Sequence, residues 1–157
     1  MREHEAFLRR AIELSRIHMR DGAGGPFGAV VAKVGAIVGE GWNQVTSTND
    51  PTAHAEVMAI RDACRRLGTY RLEGAVLYTS CEPCPMCLAA AYWARVERIF
   101  YANTRADAAG IGFDDDFLYR EIALPVEART LPTVRLLGDE ARAVFEEWAA
   151  KPDRVPY

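Results

Sequence analysis

Long apolar runs are missing from this sequence. None approaches the roughly 20 residues that a membrane-spanning helix requires, so no membrane role is expected. The opening stretch, Met1–His18, is charged and amphipathic and holds no apolar core of a secretory leader. An excess of basic residues is missing too. Lysine and arginine number 19 against 22 acidic residues, a net charge of −3, and residues 137–157 add no basic surplus. That argues against a nucleic-acid partner, whose phosphates call for a positive footprint. Cysteine is scarce: four in 157 residues, three of them clustered at Cys81, Cys84 and Cys87. This is no disulfide scaffold. The cluster points to metal or catalytic chemistry in a reducing, cytoplasmic setting. Internal repeats and low-complexity stretches are absent as well.

What remains is the composition of an ordinary globular chain, with 50% apolar and 26% charged residues, at a length suited to a single domain over 1–157. Leu8, Ala11, Ile12, Ser15 and Met19 recur at helical spacing and predict a helix from Glu5 to Asp21. Phe27–Lys33 and Ala36–Gly41 read as a hairpin turning at Val34-Gly35. Residues 46–52, polar and carrying Pro51, predict a loop. A helix follows over Ala53–Leu67, with Gly68 as its stop. Ala75–Ser80 and Arg98–Ala102 read as strands flanking a short helix at Pro85–Ala94. Beyond Thr104 the pattern predicts one or two short helices around Gly110–Gly112 and a fifth strand at Thr133–Leu137. The last elements are a helix over Asp139–Ala150 capped by Asp139 and an irregular tail to Tyr157. Strand–helix–strand crossovers beside an antiparallel hairpin predict a mixed sheet with helices on both faces.

Chemistry concentrates in Thr-Ala-His54-Ala-Glu56 and Cys81-Glu-Pro-Cys84-Pro-Met-Cys87. Cys84 and Cys87, three apart at a helix start, share a face, and the helix N-terminus favours their thiolates. With His54 they supply three corners of a tetrahedral Zn²⁺ site whose fourth corner stays open, the mark of a catalytic centre. A closed zinc site using Cys81 as the fourth ligand would leave Glu56 without a task. An iron–sulfur cluster would need Cys64, which falls mid-helix and reads as a small buried residue. On a regular helix His54 and Glu56 would diverge, so both reach one pocket only if His54 sits at the very start of its helix. Glu56 then stands where a carboxylate can move protons between an attacking water and a leaving amine.

His54-Ala55-Glu56 together with Pro83-Cys84-Pro85-Met86-Cys87 resembles the zinc-dependent cytidine-deaminase superfamily, whose signature is a His-x-Glu followed by Pro-Cys-x-x-Cys. The resemblance implies a three-layer α/β/α sandwich with a five-stranded mixed sheet, one Zn²⁺ per chain on His54, Cys84 and Cys87, and hydrolytic deamination with Glu56 as proton shuttle. Flanking segments narrow it. Gly25-Pro26-Phe27-Gly28, Gly41-Trp42-Asn43, Asn49-Asp50-Pro51-Thr52-Ala53-His54, Tyr92-Trp93-Ala94 and Gly112-Phe113-Asp114-Asp115 are similar to the bacterial guanine deaminases of this fold, and the likeness runs to Tyr157. It implies a purine base as substrate. Asn43 holds the ring, Phe27 and Trp93 wall it, and the backbone N–H groups of Ala55 and Cys84 are candidate donors. Asp115 acts near the amino group, with Asp114 as the alternative. It also implies a homodimer in which residues 138–157 are swapped so that Tyr157 covers the partner's site. Guanosine, aminotriazines, cytosine or tRNA adenosine remain alternative substrates, and a non-catalytic zinc-binding protein is the alternative of another class.

Overall fold

The computed structural model describes residues 2–157 and contains two compact units, one ending at Tyr119 and one spanning Arg120–Tyr157. The first is built on a mixed sheet. Helix α1 (Arg2–Arg20) leads to strands β1 (Gly28–Lys33) and β2 (Ala36–Trp42). Their two-residue turn, Val34-Gly35, has both residues at positive φ (51° and 72°), the twist that joins antiparallel strands without splaying them. A short helical turn α2 (Val45–Thr48) occupies part of the expected loop and precedes α3 (Ala55–Leu67). Gly68, left-handed at φ 64°, ends α3 as expected. Then come β3 (Ala75–Cys81), α4 (Pro85–Trp93), β4 (Arg98–Asn103), α5 (Arg105–Gly110) and α6 (Asp115–Ala123), the last carrying the unit boundary.

Strand order is β2-β1-β3-β4. β1 pairs antiparallel with β2 and β3, and β3 pairs parallel with β4. Alternation along the strands divides the core. Val30, Ala32 and Tyr78 face Ala11 and Leu14 of α1. Ala29, Val31 and Leu77 face α3 and α4, through Ala55, Ala59, Ala63 and Ala91. The alanine stripe on α3 and the glycines of β2 let helix and strand backbones approach closely. A Cβ on Gly41 would collide with the carbonyl oxygen of Ala55, and one on Gly39 with that of Ala59. This close approach carries the start of α3, with His54 and Glu56, to the end of β2, where Asn43 follows.

The sheet differs from expectation in having four strands among the described residues, not five. Residues 133–137 form no strand. Val134 and Leu136 alternate like a strand, yet the unit containing them holds no other strand to supply ladder partners, and both side chains are exposed. Leu137, left-handed at φ 54°, occupies the cap position of α7 (Gly138–Ala150), so Asp139 is not the cap. It lies inside the first turn and pairs with Arg142 at 3.1 Å.

Candidate metal centre and base pocket

Two helix starts converge on one point. His54 is the N-cap of α3 with extended backbone (φ −72°, ψ 153°), and Cys84 is the N-cap of α4 with the same geometry (φ −66°, ψ 168°). Pro85, at the first helical position of α4, is pre-set for the start and gives up no needed N–H. Because His54 precedes the helical screw, its ring and the Glu56 side chain reach the same cavity, as the spacing argument required. His54 Nδ1 lies 3.6 Å from Cys84 Sγ and 3.5 Å from Cys87 Sγ, and the three donor atoms lie within 4.8 Å of one another. Tetrahedral zinc with ordinary bond lengths sets nitrogen and sulfur donors about 3.6 Å apart. The donor set and its spacing therefore fit zinc.

Electrostatics agree. Hydrogen bonding from Cys87 holds the Cys84 thiol down to about 4, against the cost of burial. Its hydrogen bond with Cys84 and its own burial push the Cys87 thiol up. The Cys84 sulfur in turn raises His54. Cys81 is different. It lines the cavity, but its Sγ donates to the carbonyl of Thr104 at 3.6 Å and burial pushes its thiol up to about 11. It stands apart from the His54–Cys84–Cys87 group.

Glu56 is buried, with its carboxyl pushed up by desolvation and steadied by its own backbone N–H and the Cys87 thiol. Thr79 Oγ1 donates to its Oε1 at 3.1 Å.

The cavity holds about 250 Å³, near the small end of ligand sites, which run from roughly 300 Å³ upward. His54, Glu56, Cys84 and Asp115 open onto it, and so do Asn43 and Phe27. The Asn43 amide orientation is fixed because Oδ1 accepts from the backbone N–H of Gly25 (3.2 Å) and Val45 (3.1 Å), which leaves the NH₂ as its free donor. Ala55 is fully buried between His54 and Glu56, and its side chain does not line the cavity. Asp115 occupies the first turn of α6, its carboxyl raised by burial and by the nearby Cys84 sulfur. Asp114 turns to the helix instead, accepting from Phe117 N at 3.1 Å.

Trp93 does not line this cavity. It ends α4, about 13 Å of helix beyond Cys84, and is 62% exposed. Tyr157 belongs to the second unit, in the irregular tail after α7. Phe113, Glu82, Val45 and Thr46 also line the cavity, and the sequence reading gives none of them a role there. Phe113 meets Phe27 edge-on, ring centres 4.9 Å apart, and Glu82 sits inside the cysteine motif. Adjacency to Asp115 and Cys84 was the available signal for each.

Comparison with known proteins agrees with this geometry. The cytidine and deoxycytidylate deaminase zinc-binding region matches residues 1–103. Guanine deaminase of Bacillus subtilis (strain 168) is 56% identical over 154 residues, covering 98% of this chain and 99% of that protein. The X-ray structure of guanine deaminase from Bacillus subtilis aligns with TM-score 0.95 at 53% identity, covering 98% of each chain. The tRNA-specific adenosine deaminase of Aquifex aeolicus (strain VF5) is 43% identical, but over only 55% of this chain and 57% of its own. The chain belongs to the zinc-dependent cytidine-deaminase superfamily and, within it, to the guanine deaminase family.

Proposed function

We propose that this protein hydrolyses guanine to xanthine and ammonia, with one Zn²⁺ per chain on His54, Cys84 and Cys87. The observation that carries the reading is that Glu56, Asp115 and the His54–Cys84 pair all open onto one small cavity walled by Phe27 and Phe113. When bound, zinc supplies Lewis acidity, lowering the pKa of water toward neutrality. The chain's own residues do the rest. Asn43 donates from its amide to a ring acceptor. Phe27 stacks against the flat base and excludes water. Glu56 takes a proton from the attacking water and delivers it to the departing amine at C2. Asp115 accepts a hydrogen bond from that amine and orients it. Water supplies the new C2 oxygen, and ammonia carries away the nitrogen. No other co-reactant is needed.

The second unit supports an assembly. None of its residues is buried within the single chain, and Val144, Phe145 and Trp148 of α7 are exposed. A thirteen-residue helix with no covered face is marginal in water. The same reading therefore includes a homodimer in which 138–157 of one protomer covers the partner's cavity with Tyr157. Removal of residues 151–157 then impairs guanine turnover and leaves zinc content intact. Full turnover after that truncation removes the cover from the reading. The free state of the four thiols suits a cytoplasmic location.

The test is ammonia release from guanine, guanosine, adenine, cytosine and tRNA adenosine, with guanine expected to be turned over best. Deamination of tRNA adenosine without guanine overturns the assignment. Zinc-loaded Glu56→Gln should lose about 10²–10⁴-fold in turnover.

A further inference from the structure

Thr79 lies in β3, in register with Ala29 of β1 and Tyr101 of β4. By alternation its side chain shares the α3 face of the sheet with Leu77 and Cys81. It is buried and does not line the cavity, so it has no route to substrate. Its hydroxyl reaches two acceptors at once: Glu56 Oε1 at 3.1 Å and the Cys81 carbonyl oxygen at 3.0 Å. A threonine hydroxyl has one hydrogen to give and two lone pairs to accept with. Two acceptors therefore compete for one proton.

That competition matters because Glu56 changes form during turnover. As a carboxylate it needs a donor, which the Thr79 hydroxyl supplies. Once Glu56 has taken a proton from water, its carboxyl can donate to Thr79 Oγ1, while the Thr79 hydrogen swings to the Cys81 carbonyl. The hydrogen bond persists in both forms with only an O–H rotation. Of the other donors to this carboxyl, the backbone N–H of Glu56 can serve acceptor oxygens alone, and Cys87 belongs to the proposed zinc site. No net proton passes to Thr79: the proton goes from water to Glu56 to the departing amine.

We infer that Thr79 is the positioning residue that holds the Glu56 side chain through both halves of its proton transfer, an inference that rests on the role given to Glu56 above.

The experiment compares Thr79→Val, which keeps shape and removes the hydroxyl, with Thr79→Ser, which keeps the hydroxyl. Steady-state guanine kinetics and zinc content are measured on each folded protein. In Thr79→Val, kcat should fall about 10- to 100-fold with KM within about twofold of wild type, because geometry at the reacting atoms is lost and binding is not. Zinc content should be unchanged. Thr79→Ser should recover most of the turnover. If Thr79→Val does not fold, Thr79→Ala takes its place in the comparison. Three results overturn the inference: undiminished kcat without the hydroxyl, a loss confined to KM, or a Ser variant as impaired as the hydroxyl-free one. Glu56→Gln, assayed alongside, separates the two readings. An active Glu56→Gln protein removes the role of Glu56 itself, whereas an inactive one beside an unimpaired Thr79→Val removes only the role of Thr79.

Discussion

The Arg105 guanidinium carbon stands 4.0 Å from the centre of the Tyr119 ring, while the same group pairs with Glu82 at 3.1 Å. Tyr119 donates its hydroxyl to the Pro83 carbonyl at 2.7 Å, and the backbone N–H of Arg105 donates to Glu82 at 2.9 Å. These contacts tie α6, whose first turn carries Asp115, to the 82–83 segment that leads into Cys84. They add to the local contacts that place the first turn of α6, among them Phe113 N donating to the Ala108 carbonyl at 3.0 Å and the Phe113 ring against Phe27. Arg105→Met removes the fork that grips Glu82 and Tyr119. A displacement near 1 Å at reacting groups can cost about 10²-fold, so kcat/KM for guanine should fall about tenfold or more. Zinc content should not change, because none of the three ligands depends on Arg105. An unaltered kcat/KM shows that Asp115 is held by other contacts.

Neighbouring carboxylates in the same loop do different work. Asp115 faces the cavity, and Asp114 caps α6 through Phe117 N. Asp115→Asn should cut guanine turnover about 10²-fold or more, since the amide no longer accepts and orients like a carboxylate. Asp114→Ala should keep turnover but cost about 1 kcal/mol of stability, the usual loss of an N-cap. Thermal midpoints and guanine kinetics on both variants check the division. The reverse pattern would exchange the two roles.

Much of this site was legible because its signals are local. The Val34-Gly35 turn, the Gly68 stop and the Cys84–Cys87 spacing each state their geometry within a few residues. The His54–Glu56 pair was legible by contradiction: on one helix the two cannot meet, so His54 had to precede it. What escaped depends on contacts distant in sequence. Arg105 meets Glu82 and Tyr119 only in the folded chain. Thr79 looks like any residue of a buried strand until Glu56 is brought beside it. Residues 133–137 have a strand's alternation, but strandedness also needs a neighbour, and sequence pattern is blind to whether one is present. Trp93 was placed by resemblance, and the length of α4 carries it past the cavity.

Metal content separates the three clustered cysteines. Cys81 Sγ is directed to Thr104, and burial keeps it a neutral thiol. Cys84 is held as a thiolate beside His54. Zinc should therefore remain stoichiometric in Cys81→Ala and be lost from Cys84→Ala, as read by elemental analysis after dialysis. Loss of zinc from the Cys81 variant would mean a closed four-ligand site, and with it a structural role for the metal.

The acid limb of stability should carry the signature of Asp62. This α3 residue accepts from the backbone N–H of Glu40 on β2 at 3.0 Å and from the guanidinium of Arg66 at 2.8 Å, with Arg65 on its other oxygen. Burial alone would raise its carboxyl. The Glu40 N–H and the two arginines outweigh that and hold it below the ordinary carboxylate value. A depressed carboxyl contributes stability that is present above its unfolded pKa and is lost as pH falls through its folded pKa. Both states are ionised at neutral pH, so there the contribution is complete. Asp62→Asn keeps the shape and one acceptor but removes the charge, and should cost about 1 kcal/mol at pH 7 for a partly exposed network of this kind. The gap between wild type and variant, followed by urea midpoints, should stay level down to about pH 5 and close below about pH 4. A gap that persists unchanged at low pH would assign the effect to packing between β2 and α3. One that vanishes at neutral pH would leave the position of the His54 end of α3 to the close fit of Gly39 and Gly41 alone.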